Sequence, residues 1–391
     1  MNTAQLIIGD VEVEKPIIQG GMGVGISLSN LAGHVASYGG IGLISAAQIG
    51  FREDIFSKNP KAANIAAIVS ELKKAREISE GRGLVGFNIM VATKGYEDYV
   101  KTAVMHGADI IVSGAGLALD LPALVDEGMA LRHGLDAADF FGKDKKLITK
   151  YAPIVSSEKS VNVILKLWDR KYKKTADTII IEGPLAGGHL GFSSFELSDL
   201  GSDTEYVSKT YKRQLYDQEI INIIRAVEVF EKKYGKKIPV VSAGGIYTHE
   251  DFMHALSLGV CGVQIGTRFV TTHECDAPLS YKQAYIDAGE SDIIITKSPV
   301  GMPGRAIKNN FLKKLMNGRI PVRHCHDCLT KCDRVNIPYC ITEALIAAAN
   351  GDIDNALLFA GANAWRCSEI ETVKEVMDDI ISGNSAEKQI I

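Results

Sequence analysis

Thr178-Ile-Ile-Ile-Glu-Gly-Pro-Leu-Ala-Gly-Gly-His-Leu-Gly-Phe192 is the stretch on which the fold turns. Four strand-favouring residues, Thr178 to Ile181, run into Glu182 and a loop holding four glycines and one imidazole, His189. β-Branched side chains suit a pleated, half-buried surface, and an apolar run bounded by glycine reads as a buried strand. The glycines free the loop backbone to bend or to approach a ligand, and His189 is its only group that titrates near neutrality. Read alone, the segment fits a surface turn with an incidental histidine equally well.

The flanking sequence decides against that turn. Downstream, Ile238-Pro-Val-Val-Ser-Ala-Gly-Gly-Ile246 and Val260-Cys-Gly-Val-Gln-Ile-Gly266 repeat the layout of strand into glycine, with a helix predicted over 249–258 between them. Upstream, Pro16 to Gly25, Gly40 to Ser45, Leu84 to Met90 and Ala108 to Gly116 do the same, and a further strand falls within Lys146 to Ser156. Helical stretches lie near 30–38, 62–77, 96–106 and 161–170. Strands alternating with helices imply parallel β-α units. Eight such units between Pro16 and Gly266 predict an α/β fold of the (β/α)8 TIM-barrel type, whose active site is built at the carboxyl ends of the strands. A doubly wound sheet competes, but gives no reason for two glycine-rich turns so late in the run. The expected division is a barrel over 1–270 and a tail over 271–391.

Gly244, Gly245, Gly266 and Thr267 follow the last two strands, where barrels often bind a phosphate on bare backbone N–H groups. No Gly-x-Gly-x-x-Gly with a downstream acid follows the first strand, so a dinucleotide fold is unsupported. A mononucleotide such as FMN is the natural candidate, and purely structural turns are the other reading. The polar insertion at 192–214 reads either as a lid or as a solvated excursion.

The tail carries Cys325, Cys328, Cys332 and Cys340 in a C-x2-C-x3-C-x7-C spacing, with His324 and His326 alongside. Such a set suits a [4Fe–4S] cluster or a structural Zn2+, and unmetallated thiols are the third reading. Helical periodicity at 341–349, 353–359 and 369–381 predicts a helical cap containing this cysteine cluster (325–340), packed on the catalytic face or on a second subunit of a homodimer. His133, in the connection from the fourth strand to the fifth, is placed to reach the mouth of the site. Cys261, Cys275 and Cys367 are isolated and expected to be packing residues.

Composition narrows the class. The chain has 391 residues, 43 basic and 47 acidic, for a net charge of -4. No basic stripe points to nucleic acid. The amino terminus lacks a secretory layout, and no apolar run reaches the ~18 residues of a membrane span. Seven cysteines, four of them bunched, do not form a secreted disulfide pattern. A soluble cytoplasmic enzyme acting on a small molecule is expected.

These segments, in order, resemble the nitronate monooxygenase family (2-nitropropane dioxygenases) and the related flavin-dependent enoyl-acyl-carrier-protein reductases. The likeness runs from Pro16-Ile-Ile-Gln-Gly-Gly-Met22 through Gly86-Phe-Asn-Ile-Met90, Ser113-Gly-Ala-Gly116, Glu182 to Gly191, Ser242-Ala-Gly-Gly-Ile246 and Gln264-Ile-Gly-Thr-Arg-Phe269 to Ser298-Pro-Val-Gly-Met-Pro-Gly-Arg-Ala-Ile-Lys-Asn309. The resemblance implies FMN held non-covalently by Gln19, Gly20, Gly21, Met22, Asn88, Glu182, Gly187, Gly188, Ser242, Gly244, Gly245, Gln264, Gly266 and Thr267. It implies His189 as the base that deprotonates a nitroalkane, with O2 completing conversion to a carbonyl compound and nitrite. In the reductases the same histidine sits beside a flavin reduced by NADH or NADPH. The sequence departs from some monooxygenases after the fifth strand, where Pro153-Ile-Val-Ser-Ser157 lacks their lysine and Lys159 comes late.

Overall fold

A computed structural model describes residues 5–133 and 148–383, with only the backbone of His133. Eight strands close a parallel barrel: β3 (Ile17–Gln19), β4 (Ile41–Ser45), β5 (Leu84–Met90), β6 (Ile110–Gly114), β7 (Lys150–Val155), β8 (Ile179–Glu182), β10 (Val240–Ala243) and β11 (Gly262–Ile265). β11 pairs back onto β3, with Gln264 opposite Ile18, and so closes the ring. Each strand supplies two apolar faces. Ile18, Leu43, Val112, Ile180 and Val241 fill the lumen, while Ile17, Ile44, Ile111, Ile181 and Val240 meet the surrounding helices. That two-sided burial is why these strands are nearly continuous apolar runs.

An amino-terminal hairpin, β1 (Leu6–Ile8) with β2 (Val11–Val13), was not predicted from sequence. Its Leu6, Ile8 and Val13 pack with the lumen residues, and Lys150 at the start of β7 pairs with Asp10 at 2.5 Å. The hairpin thereby plugs the end of the barrel opposite the strand carboxyl termini. Between β6 and β7 the chain forms a helix over Leu121–His133, also unpredicted. The fifth expected strand begins at Lys150, and the Lys146 and Leu147 part of that expectation lies outside the described residues.

The tail is not a purely helical cap. β12 (Ile293–Lys297) and β13 (Pro303–Ile307) form an antiparallel pair, and β13 continues onto β9 (Gly188–His189), a piece of the barrel's own sixth loop. Gly304 stands opposite His189 and Arg305 opposite Gly188. The segment 353–359, expected to be helical, forms one 3-10 turn at Ile353–Asn355 and then runs extended. Asn309 explains the change: its Nδ2 donates to the carbonyls of Ile353 and Ala356, both at 2.7 Å. Helices at Ile341–Ala349 and Val373–Ser382 do form.

The tail packs on its own barrel. Asp276 caps the helix Ser29–Ser37, accepting from the backbone N–H groups of Leu28 (2.7 Å) and Leu31 (3.2 Å). Arg268, just past β11, is buried and pairs with Glu371 at 2.7 Å and with Asp379. One hydrophobic core spans both parts, with Val373, Val376 and Met377 joining the barrel residues. Among the described residues no helix is long and apolar enough to cross a membrane.

Candidate active site

Two adjoining cavities, about 190 and 170 Å3, open over the carboxyl ends of the strands and share Gly21, Asn88, Ile154, Glu182, Gly187 and Gly188. Gly20, Met22, Gly244, Gly245, Gln264, Gly266 and Thr267 line the first, and His189 lines the second. Thirteen residues expected from sequence therefore meet at one place. Two others are placed elsewhere. The Gln19 side chain is fully buried and bonds both backbone groups of Leu43, tying β3 to β4. Ser242 lines a separate small cleft with Tyr211 and Asp217. The insertion 192–214 forms two short helices, Ser194–Asp199 and Val207–Thr210, and does not line either main cavity. The side chain of His133 lies outside the described residues.

Glycine is required where backbones close in. A Cβ at Gly21 would stand 2.3 Å from that of Asn88, and one at Gly361 would stand 2.5 Å from the Thr267 hydroxyl. Gly244 and Gly245 hold φ of +89° and +95°, which side chains other than glycine rarely adopt, so their N–H groups can turn toward an anion. Asn363 holds this turn by donating to the Gly245 carbonyl at 2.8 Å.

Several lining residues come from the tail and were missed from sequence: Tyr281, Tyr285, Leu345, Phe359 and Gly361. The Tyr281 and Tyr285 hydroxyls both donate to the Phe359 carbonyl. Their i,i+4 spacing was the available signal. Phe359 in turn meets His189 edge-on, with ring centroids 4.9 Å apart. Ser298 and Arg305 fall in a stretch already matched to the family but given no role. Ser298 Oγ lies 2.7 Å from His189 Nε2. Arg305 is almost completely buried and donates to the carbonyls of Pro184 (2.7 Å), Ala186 (2.7 Å) and Ser202 (2.5 Å), clamping the loop that leads to Gly187.

Burial sets the electrostatics. It pushes His189 down to about 4, so the imidazole is neutral at pH 7. It pushes Glu182 up to about 7, against the opposing pull of the Gly191 N–H, which donates at 2.8 Å, and of Arg305. A neutral imidazole and a half-protonated carboxyl thus border the same space.

The residues present fit a flavin mononucleotide. Gln264 lines the first cavity, and its buried Oε1 has no hydrogen-bond partner among the described residues, an acceptor left over for a ligand's donor. The glycine turns at 244–245 and 266 offer a phosphate cradle. For the cysteines, no three His, Cys, Asp or Glu side chains among the described residues converge closely enough to hold a single metal ion. Neither the iron–sulfur nor the zinc expectation draws support from that.

A sequence profile described as "Nitronate monooxygenase" matches residues 5–383, and the chain belongs to this family. It is an oxidoreductase of the flavin-dependent kind. The chain is 25% identical over 329 residues to a probable nitronate monooxygenase of Staphylococcus saprophyticus, covering 81% of each. It is 22% identical over 308 residues to the (3aS,4S,5R,7aS)-5-hydroxy-7a-methyl-1-oxo-octahydro-1H-indene-4-carboxyl-CoA dehydrogenase of Mycobacterium tuberculosis, covering 79% of this chain and 67% of the relative. The solved structure of FabK from Thermotoga maritima shares the fold, with a TM-score of 0.64, 22% identity and coverage of 94% and 92%.

Proposed function

We propose that the chain is an FMN-dependent nitronate monooxygenase, converting alkyl nitronates and O2 to a carbonyl compound and nitrite. One observation carries the reading: His189 and Glu182 border one space, walled otherwise by glycine backbone, amides and apolar side chains with a few hydroxyls among them. FMN, when bound, supplies the electron chemistry and the protein supplies orientation. The turns at Gly244–Gly245 and Gly266–Thr267 would hold its phosphate, while Gly20, Gly21, Met22, Asn88, Gly187, Gly188 and Gln264 would line the rest of its site.

The role of His189 follows from its basicity. A neutral imidazole can accept a proton, but one pushed down to about 4 is a weak base for a neutral nitroalkane. A nitronate is already deprotonated and needs no base. The anion is therefore the expected substrate, with the His189–Ser298 pair orienting it by hydrogen bonding. Neutral nitroalkanes react slowly and depend on His189 for proton removal.

Glu182 favours a second reading. A carboxyl near neutrality can hand over a proton, as reduction of an enoyl thioester by NADH or NADPH demands, and the dehydrogenase relative is named for a CoA thioester. Anaerobic mixing with ethylnitronate separates the two. Bleaching of the flavin absorbance, recovery in air and nitrite release support the monooxygenase. Bleaching by NADH or NADPH alone, with none by nitronate, transfers the assignment to the reductase.

A further inference from the structure

We propose that Cys325, Cys328, Cys332 and Cys340 bind a [4Fe–4S] cluster that forms part of the wall between the tail and the active-site cavity. The inference does not rest on the substrate reading above. All four thiols are free of disulfides and line one cavity of about 160 Å3. A single tetrahedral ion would draw its sulfurs to ~2.3 Å from one centre. All four cysteines border that one space, as the ligands of a four-iron cluster must.

Three further features suit that occupant. His326 lines the same cavity, and its buried Nδ1 has no hydrogen-bond partner among the described residues. The Asp327 N–H donates to Cys325 Sγ at 3.4 Å, with Asp327 in the left-handed region at φ +52°. Hydrogen bonds to cysteine sulfur are among the features that tune such clusters. Lys94, Arg334 and Asp327 also line the cavity, both cations pair with Asp327, and the net positive charge of the three offsets part of that of the thiolates.

The position is fixed by the barrel. Thr93, just past β5, bridges to Leu329, the Lys94 N–H donates to the Cys328 carbonyl at 3.0 Å, and the Thr330 N–H donates to the Ala92 carbonyl at 3.0 Å. Cys328, Leu329 and Ile341 line both this cavity and the one that His189 borders. A cluster here would hold the active-site wall in place from behind.

The test uses the full chain, purified without oxygen and reconstituted with ferrous iron and sulfide. The expected result is about four iron and four sulfide per chain, with a low-temperature paramagnetic signal after dithionite reduction. Cys332→Ser and the double variant Cys325→Ser/Cys332→Ser should lose at least fivefold in bound iron. Both should retain flavin, since neither position lines the flavin cavity, and that retention shows the barrel is folded. About one zinc per chain without sulfide, or four thiols that remain titratable after reconstitution, overturns the proposal. Nitronate turnover, measured separately, reports on the substrate reading alone.

Discussion

The barrel and the tail meet at one site but are built in opposite ways. The barrel repeats a single unit eight times, each barrel strand pairing with the one before and after it in the chain, save where β11 closes onto β3. The tail is held by unrepeated contacts to distant residues: Arg305 to the loop at 184–186, Asp276 to the helix at 29–37, Arg268 to Glu371 and Asp379. The repeating part supplies the glycine turns and the floor of the cavity, while the unrepeated part positions His189. If the tail were only a cover, breaking its ties would leave flavin binding and His189 unaffected.

Arg305→Ala is the most damaging test of that view. It leaves three carbonyls without their donor in a buried setting, and a loss of about 3–5 kcal/mol is expected, with flavin lost on purification. Urea unfolding and the flavin-to-protein absorbance ratio measure it; a variant that keeps flavin with full stability would show the tail to be a passive cover. Arg268→Ala comes next. Leaving Glu371 and Asp379 unpaired should cost about 3 kcal/mol. Because those contacts lie away from the cavity, the folded fraction should still bind flavin. Asp276→Ala should cost about 1–2 kcal/mol through the lost cap, read as a lowered Tm.

The smallest expected effect is on pH dependence. His189 is depressed when folded, so its contribution to stability is complete above its ordinary value of 6.5 and is lost as pH falls toward about 4. Glu182 is raised, so its contribution is present below its ordinary 4.5 and is lost as pH rises toward about 7. The two slopes oppose each other between pH 4.5 and 6.5. Glu182→Gln removes one of them, and thermal melts of the flavin-free protein should then rise more steeply with pH across that window. An unchanged profile would mean that Glu182 does not titrate as its burial requires.

The same contrast explains what could be read from the amino acids. Barrel strands are buried on both faces, so Ile41–Ser45 or Ile179–Glu182 stand out as apolar runs ending in small or polar groups. Twelve of the fourteen expected cofactor residues line the cavity because they sit at such ends. Gln19 sits at one too, yet its side chain turns to Leu43, a choice that depends on packing and not on position. Tail strands gave no comparable signal. Ile293–Lys297 is apolar but pairs only within the tail, and Pro303–Ile307 depends on Gly188–His189, over a hundred residues earlier. Helical periodicity at 353–359 was real, but Asn309 takes the carbonyls that a helix would need.

The pairing of Gly304 with His189 has a consequence for how the enzyme is made. During synthesis the barrel strands leave the ribosome well before Ser298 and Gly304, which lie 109 or more residues beyond His189. At roughly 5–20 residues per second the nascent barrel spends several seconds without the strand that orders its histidine. A partly made chain, or one cut within the tail, therefore has a glycine-rich cradle but no positioned histidine. The ordered histidine arrives only with about the last quarter of the polypeptide.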